Sequence, residues 1–245
     1  MLRLSYSLLL LLWAGAVLGQ TPDPVEEEVD SAELRVEVKK PDSLKEKIRF
    51  RSLRFGTDLL ALILTNSDRF DGWEVNADAD FGRFYLAGDY GYAARDEKLA
   101  TGGDYHVNGN YWRVGLDVNL LKKDPDRNML FFGLRYARAS YNEVVNYTST
   151  DTYFGPLQYQ VSNPAASGSW GELVAGLRVK VWKEFWMGFT SRMKIALAVR
   201  GTGDMYSYYV PGFGVIGEGI TWGFNYQVFW RIPFERKKKP LPSLP

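Results

Sequence analysis

Every second residue from Ile220 to Phe234 is large and apolar or aromatic: Ile220, Trp222, Phe224, Tyr226, Val228, Trp230, Ile232 and Phe234. Between and after them stand Thr221, Gly223, Asn225, Gln227, Phe229, Arg231, Pro233 and Glu235. Strand side chains point alternately to two faces, so this stretch is a strand with one apolar and one mostly polar face. The apolar face must meet either a protein core or lipid, and that choice decides what the chain can be.

The same texture of aromatics, glycines and alternation runs from Ile48 to Phe234 and gives eight strand candidates. They are Ile48 to Ile63, Gly72 to Phe81, Arg83 to Ala94, Tyr105 to Leu120, Met129 to Val144, Ser169 to Trp182, Phe185 to Val199, and the stretch from Ile220. Three connections are short: the turn at Gly82, "KKDPDRN" after Leu121, and "KE" after Trp182. The others, Thr65 to Asp71, Arg95 to Asp104, Asn146 to Gly168 and Arg200 to Gly217, are mostly longer and rich in Tyr, Ser, Thr, Asn and Gly. Short turns at one end and longer loops at the other is the asymmetry of outer-membrane barrels, and an even strand number puts both termini at the short-turn end.

In a soluble sandwich or lipocalin-like barrel the apolar face points inward. In a membrane barrel the order is reversed. The polar faces here are rich in Gly, Asp, Asn and Arg, which suit a crowded polar lumen. Aromatics recur near strand ends: Trp73, Phe81, Phe84, Tyr111, Trp112, Trp170, Trp182, Trp186, Trp222, Trp230 and Phe234. Their spacing is that of two interfacial girdles. "LLALIL", Leu59 to Leu64, is far shorter than the roughly 20 residues of a spanning helix. A membrane-spanning mature chain must therefore be a closed barrel, since lipid tolerates no unpaired backbone. The expected fold is all-β, an eight-stranded antiparallel up-and-down transmembrane β-barrel over residues 48–234.

The flanks differ in composition. Residues 1–19 read as a signal peptide, with Arg3 ahead of an apolar run and Val17 and Gly19 at the small-residue positions; the competing reading is a membrane anchor. Residues 20–47 form a charged leader without aromatics, expected in the periplasm, and residues 235–245, "ERKKKPLPSLP", a basic Pro-containing tail. There is no cysteine and one histidine, His106, so disulfides, thiolate chemistry and multi-histidine metal sites are excluded. A formal net charge of +1 argues against a nucleic-acid partner. No cofactor is expected.

The signal peptide, the eight alternating strands, the one-sided loops and the terminal strand ending in Phe234 resemble the small outer-membrane β-barrel proteins of Gram-negative bacteria, including uncharacterised ones of Bacteroidota type. The likeness is one of pattern and brings no active site. It implies an outer-membrane location with both termini in the periplasm. It also implies lipid as the surrounding partner and a non-enzymatic structural or protein-interaction role, as a subunit of a larger assembly with other outer-membrane or periplasmic proteins. The residues after Phe234 depart from the usual pattern, which ends on the aromatic.

The inward-facing charge candidates are Arg54, Asp58, Glu74, Asp78, Asp80, Asp89, Arg113, Asp117, Arg135, Arg178, Lys180, Arg192, Lys194 and Arg231. Acidic positions concentrate in the second to fourth strands and basic ones in the fifth to eighth, so closure brings the two arcs face to face. Such a set either plugs the lumen with ion pairs or lines a narrow channel, and the cost of unpaired charge favours the plug. His106 is either a loop histidine or the catalytic group of a rim-site lipid-modifying enzyme. The second reading lacks a recognisable nucleophile motif. Ser31 and Ser43 lie in "DSA" and "DSL", short patterns resembling an O-glycosylation motif, and Asn146 opens a chance sequon.

Overall fold

The computed structural model describes residues 49–234 except 66, 68, 69, 100, 101, 122–126, 152, 154 and 204. The leader, the basic tail, the signal segment, Ser31 and Ser43 lie outside the described residues. Eight long strands form a closed antiparallel barrel: β1 (Ser52–Asp58), β2 (Phe70–Asp80), β3 (Phe84–Lys98), β4 (Asp104–Asn119), β5 (Asn128–Asp151), β6 (Gly155–Trp182), β7 (Phe185–Arg200) and, closing the ring against β1, β10 (Ile220–Pro233). A helix, α1 (Leu59–Leu64), follows β1, and a small hairpin, β8 (Tyr209–Val210) with β9 (Gly214–Val215), lies between β7 and β10. The end carrying α1 and β8–β9 is termed the upper end, and that of the 81–83 and 183–184 turns the lower.

Three expectations are corrected. The first strand does not run to Ile63: it stops at Asp58, whose side chain accepts from the Leu60 N–H at 3.0 Å and caps α1. The run Leu59 to Leu64 has no alternation to hold it as a strand, and a capping aspartate precedes it. Asn146 to Gly168 is not a loop. It belongs to β5 and β6, which pair continuously from Glu143↔Asn163 to Asp151↔Gly155 and project as a ribbon beyond Asn146 and Ser167, where pairing with β4 and β7 ends. Both faces of its outer part, residues 147–150 and 155–160, are exposed or half-buried, so it shows no apolar period. The upper connections at 99–103 and 152–154 are consequently short, and the residues expected in loops lie in strands. Third, Tyr111, Trp170 and Trp186 are not in the girdles but buried inside the barrel.

A belt of outward residues circles the barrel, including Val75, Leu86, Val114, Leu116, Phe132, Leu134, Leu177, Phe189, Phe224 and Trp230, all exposed. Trp73 packs against Tyr90 and Trp112 against Tyr136 at its upper edge, with ring centroids 5.8 and 5.7 Å apart. Above that edge the polarity changes sides. On β4 the outward residues Asp104, His106 and Asn110 are exposed and polar, while the inward ones, Tyr105, Val107 and Tyr111, form a core with Ala137, Ala139, Tyr141, Trp170 and Phe213.

The ring has one incomplete place. β1 pairs with β10 only up to Asp58↔Gln227, while β10 continues to Ile220 and β2 to Phe70. α1 contacts both strands there. Its flanking side chains take up the free strand edges: Asp58 Oδ1 accepts from the Tyr226 N–H at 3.1 Å, and the Thr65 hydroxyl accepts from the Gly72 N–H at 3.0 Å and donates to the Gly72 carbonyl. Such edges in an apolar setting require partners.

Candidate functional site

The belt encloses charge. Seven carboxylates, on Asp58, Glu74, Asp78, Asp80, Asp89, Asp117 and Glu172, face seven cations, on Arg54, Arg113, Arg135, Arg178, Arg192, Lys194 and, nearer the lower rim, Arg231. Period-two alternation places each on the inner face of its strand, and eight strands leave an interior that side chains fill. Near the lower end Asp78 takes both Arg54, at 2.7 Å, and Arg178, at 2.6 Å. The guanidinium of Arg54 also lies over the Tyr85 ring, and that of Arg178 between the Phe131 and Phe229 rings.

One turn of side chains higher, Arg135 bridges Asp89 at 2.6 Å and Asp117 at 2.8 Å, and Arg192 bridges Asp89 and Glu172, both at 3.1 Å. Arg113 joins Glu74, at 2.6 Å, to Glu172, at 3.1 Å. Asn76, Tyr111 and Trp170 donate to these same carboxylates. Buried ions are costly unless each is paired and hydrogen-bonded, and this lattice provides that cross-linking between strands on opposite sides of the ring.

The lumen is closed above by residues 205–216. Tyr209, Val210 and Phe213 are buried against Tyr105, Tyr111 and Trp170, and the Lys194 ammonium donates to the carbonyls of Gly212, at 2.8 Å, and Phe213, at 3.1 Å. Gly212 has φ of +79°, and a Cβ there would stand 2.5 Å from the Tyr111 ring, so this approach needs glycine. Higher still, Glu143 accepts from Tyr105 at 2.7 Å, Asn163 at 2.8 Å and Ser207 at 2.6 Å, tying this plug to the ribbon. Burial, and then Glu143, hold the Tyr105 phenol well above its ordinary pKa, and burial pushes Tyr141 up to about 12; both remain donors at neutral pH.

Most of the charge candidates meet in this lattice. Lys180 does not: its side chain sits at the lower rim, a quarter exposed, 3.1 Å from Glu184 in the next turn. A bulge between Lys180 and Trp182 ends the inward phase there. Asp58 is buried but meets no cation among the described residues; it holds Asn225, Tyr226 and the start of α1. The acidic arc on β2–β4 and the basic arc on β5–β10 meet through Asp78–Arg178, Asp89–Arg135 and Asp89–Arg192, with Arg54 on β1, Arg113 on β4 and Glu172 on β6 as exceptions. Glu172 and Glu143 were not among the candidates, although both fall on the inward phase of their strands, the signal that would have found them. His106 points outward on β4, half exposed, with Nδ1 2.5 Å from Asp96 Oδ1 and Nε2 2.9 Å from Asn108 Nδ2. Both ring nitrogens are engaged, and among the described residues neither meets a hydroxyl.

A closed eight-stranded barrel with a charged, plugged interior and an apolar belt is the class that this fold and site define. The chain belongs to the family described as a domain of unknown function, DUF6048, whose model matches residues 1–237. No match is found among curated proteins. Among solved structures, the chain is similar to the crystal structure of Neisserial surface protein A (NspA), at 10% identity over 76% of this chain and 96% of that one, with a TM-score of 0.34.

Proposed function

We propose that this protein is an integral outer-membrane barrel whose lumen conducts nothing, and that it serves as a rigid base for the projecting β5–β6 ribbon. The observation that supports this reading is the reversal of polarity at the upper belt edge, with charge enclosed where the wall is apolar. Lipid is the solvent that makes such an arrangement stable. Both termini then face the periplasm and the ribbon faces outward. No described helix is long and apolar enough to cross a membrane.

The ribbon is the interaction surface of this reading. Tyr147 and Tyr159 stack across it with centroids 5.4 Å apart, Leu157 is exposed, and Tyr153 at its tip is 91% exposed. Aromatic side chains held on a stiff support are effective contacts for other proteins. A role as a non-enzymatic subunit of a larger outer-membrane assembly follows. The direct test is fractionation, heat-modifiable mobility and planar-bilayer recording of the purified chain. We expect recovery with the outer membrane and no stable single-channel steps. Recovery as a soluble periplasmic protein, or large steady conductance, would overturn the proposal.

A further inference from the structure

Behind α1, where β1 leaves the ring incomplete, lies a cavity of about 310 Å³. That is near the lower bound of the roughly 300–1,000 Å³ of small-molecule sites. It is bordered by residues of both faces of the wall: Trp222 and Phe224, which point outward, and Glu74, Arg113, Lys194 and Asn225, which belong to the lumen. The cavity therefore joins the charged interior to the apolar exterior at the gap between β2 and β10.

Its charges are not equally satisfied. Asp58 accepts from Leu60, Asn225 and Tyr226, and Glu74 from Asn76, Tyr111 and Arg113. Arg113 is shared by Glu74 and Glu172, and Arg95 pairs with Glu97 at 2.7 Å and stacks on Tyr209. Lys194 has only carbonyl partners; among the described residues no carboxylate lies within 4.0 Å of its ammonium, and no cation within 4.0 Å of Asp58. An ammonium has three donors, so one is left over. Gly223 gives the side chain its room: a Cβ there would stand 2.8 Å from Lys194 Cε and 2.9 Å from Nζ.

We infer that this gap is a lateral binding site for one phosphate-bearing membrane lipid, its phosphate on Lys194 and its acyl chain leaving between α1 and β10 past Leu60, Leu64, Trp222 and Phe224. The remaining N–H donor of the Lys194 ammonium selects an anion, and the apolar exit toward the surrounding lipid selects one that carries an acyl chain. The inference rests on the membrane-spanning reading, and fractionation separates the two: failure of lipid binding in a membrane-recovered protein removes this site alone.

The test is calorimetric titration of the full chain in neutral detergent with dioctanoyl phosphatidic acid, inorganic phosphate and dioctanoylglycerol. We expect saturable one-to-one binding of the phosphatidic acid and none of the other two. Lys194→Met should weaken it about tenfold or more, the scale of a lost charge-assisted hydrogen bond, while Lys194→Arg keeps it. Gly223→Leu should fill the approach and abolish binding with heat-modifiable mobility unchanged, which decides the matter if Lys194→Met does not fold. No saturable lipid binding by folded wild type, equal binding of inorganic phosphate, or full affinity in a folded Lys194→Met or Gly223→Leu variant would overturn the site.

Discussion

β4 carries two opposite arrangements in one uninterrupted strand. From Trp112 to Asn119 its outward residues are apolar and its inward ones are Arg113, Gly115, Asp117 and Asn119. From Asp104 to Asn110 the outward residues are Asp104, His106, Asn108 and Asn110, and the inward ones include Tyr105 and Val107. β5 changes at the same level, passing from Leu134 and Tyr136 to Arg138 and Ser140 on its outer face, and from Arg135 to Ala137 and Ala139 on its inner one. The strand geometry is the same throughout and only the chemistry of each face is exchanged. A single barrel can thus be built by two stabilising schemes, ion pairing inside an apolar wall below and an apolar core inside a wetted wall above.

The comparison can be tested at both levels. Arg135→Ala should have the largest effect, about 3–5 kcal/mol, because it leaves the buried Asp117 with only Arg178, at 4.0 Å, and takes from Asp89 its shortest ion pair. The midpoint of unfolding in denaturant, or of the heat-modifiable transition, measures it. An unchanged midpoint would mean the lattice is dispensable. A pair on the outer face of β4 then sharpens the contrast: Leu116→Arg should cost about 2–4 kcal/mol, as a charge on the lipid face does, while Asn110→Arg should stay within about 0.5 kcal/mol. Equal costs would place both residues in the same solvent and erase the two-level account. The smallest effect is expected at the exposed Asp96–His106 pair, where His106→Ala should change stability by less than about 0.5 kcal/mol and leave cellular lipid composition as it was. A lipid difference lost in that variant would restore the enzymatic reading.

Alternation made the eight-strand ring legible, because a strand between two unlike solvents must alternate. It failed wherever that condition failed. Leu59 to Leu64 is apolar on every side and coils into α1 instead; residues 147–151 and 155–160 carry no apolar period although they are strand. The lumen charges were readable for the same reason as the strands, and the error over Trp170 and Trp186 came from treating aromatics near strand ends as girdle without reading their phase. Trp170 is in step with Glu172 and Arg178, and Trp186 with Arg192, and all of them point inward. What no periodicity encodes is which acid meets which base across the ring: Asp78 with Arg178 and Asp89 with Arg192 are far apart in sequence, and only closure brings them together.

The brevity of β1 has a mechanical consequence. A ring under tension parts at its shortest ladders, and here those are the two made by β1, six residue pairs with β2 and seven with β10. Its side chains act as rivets: Arg54 fastens β1 to Asp78 of β2, and Asp58 fastens it to Asn225 and Tyr226 of β10. Gly56 lets the joint lie flat, since any side chain there would strike the Val228 carbonyl and the Phe229 ring. Stress on the wall is thereby concentrated on one strand, and the rest of the cylinder is left to move as a single stiff shell.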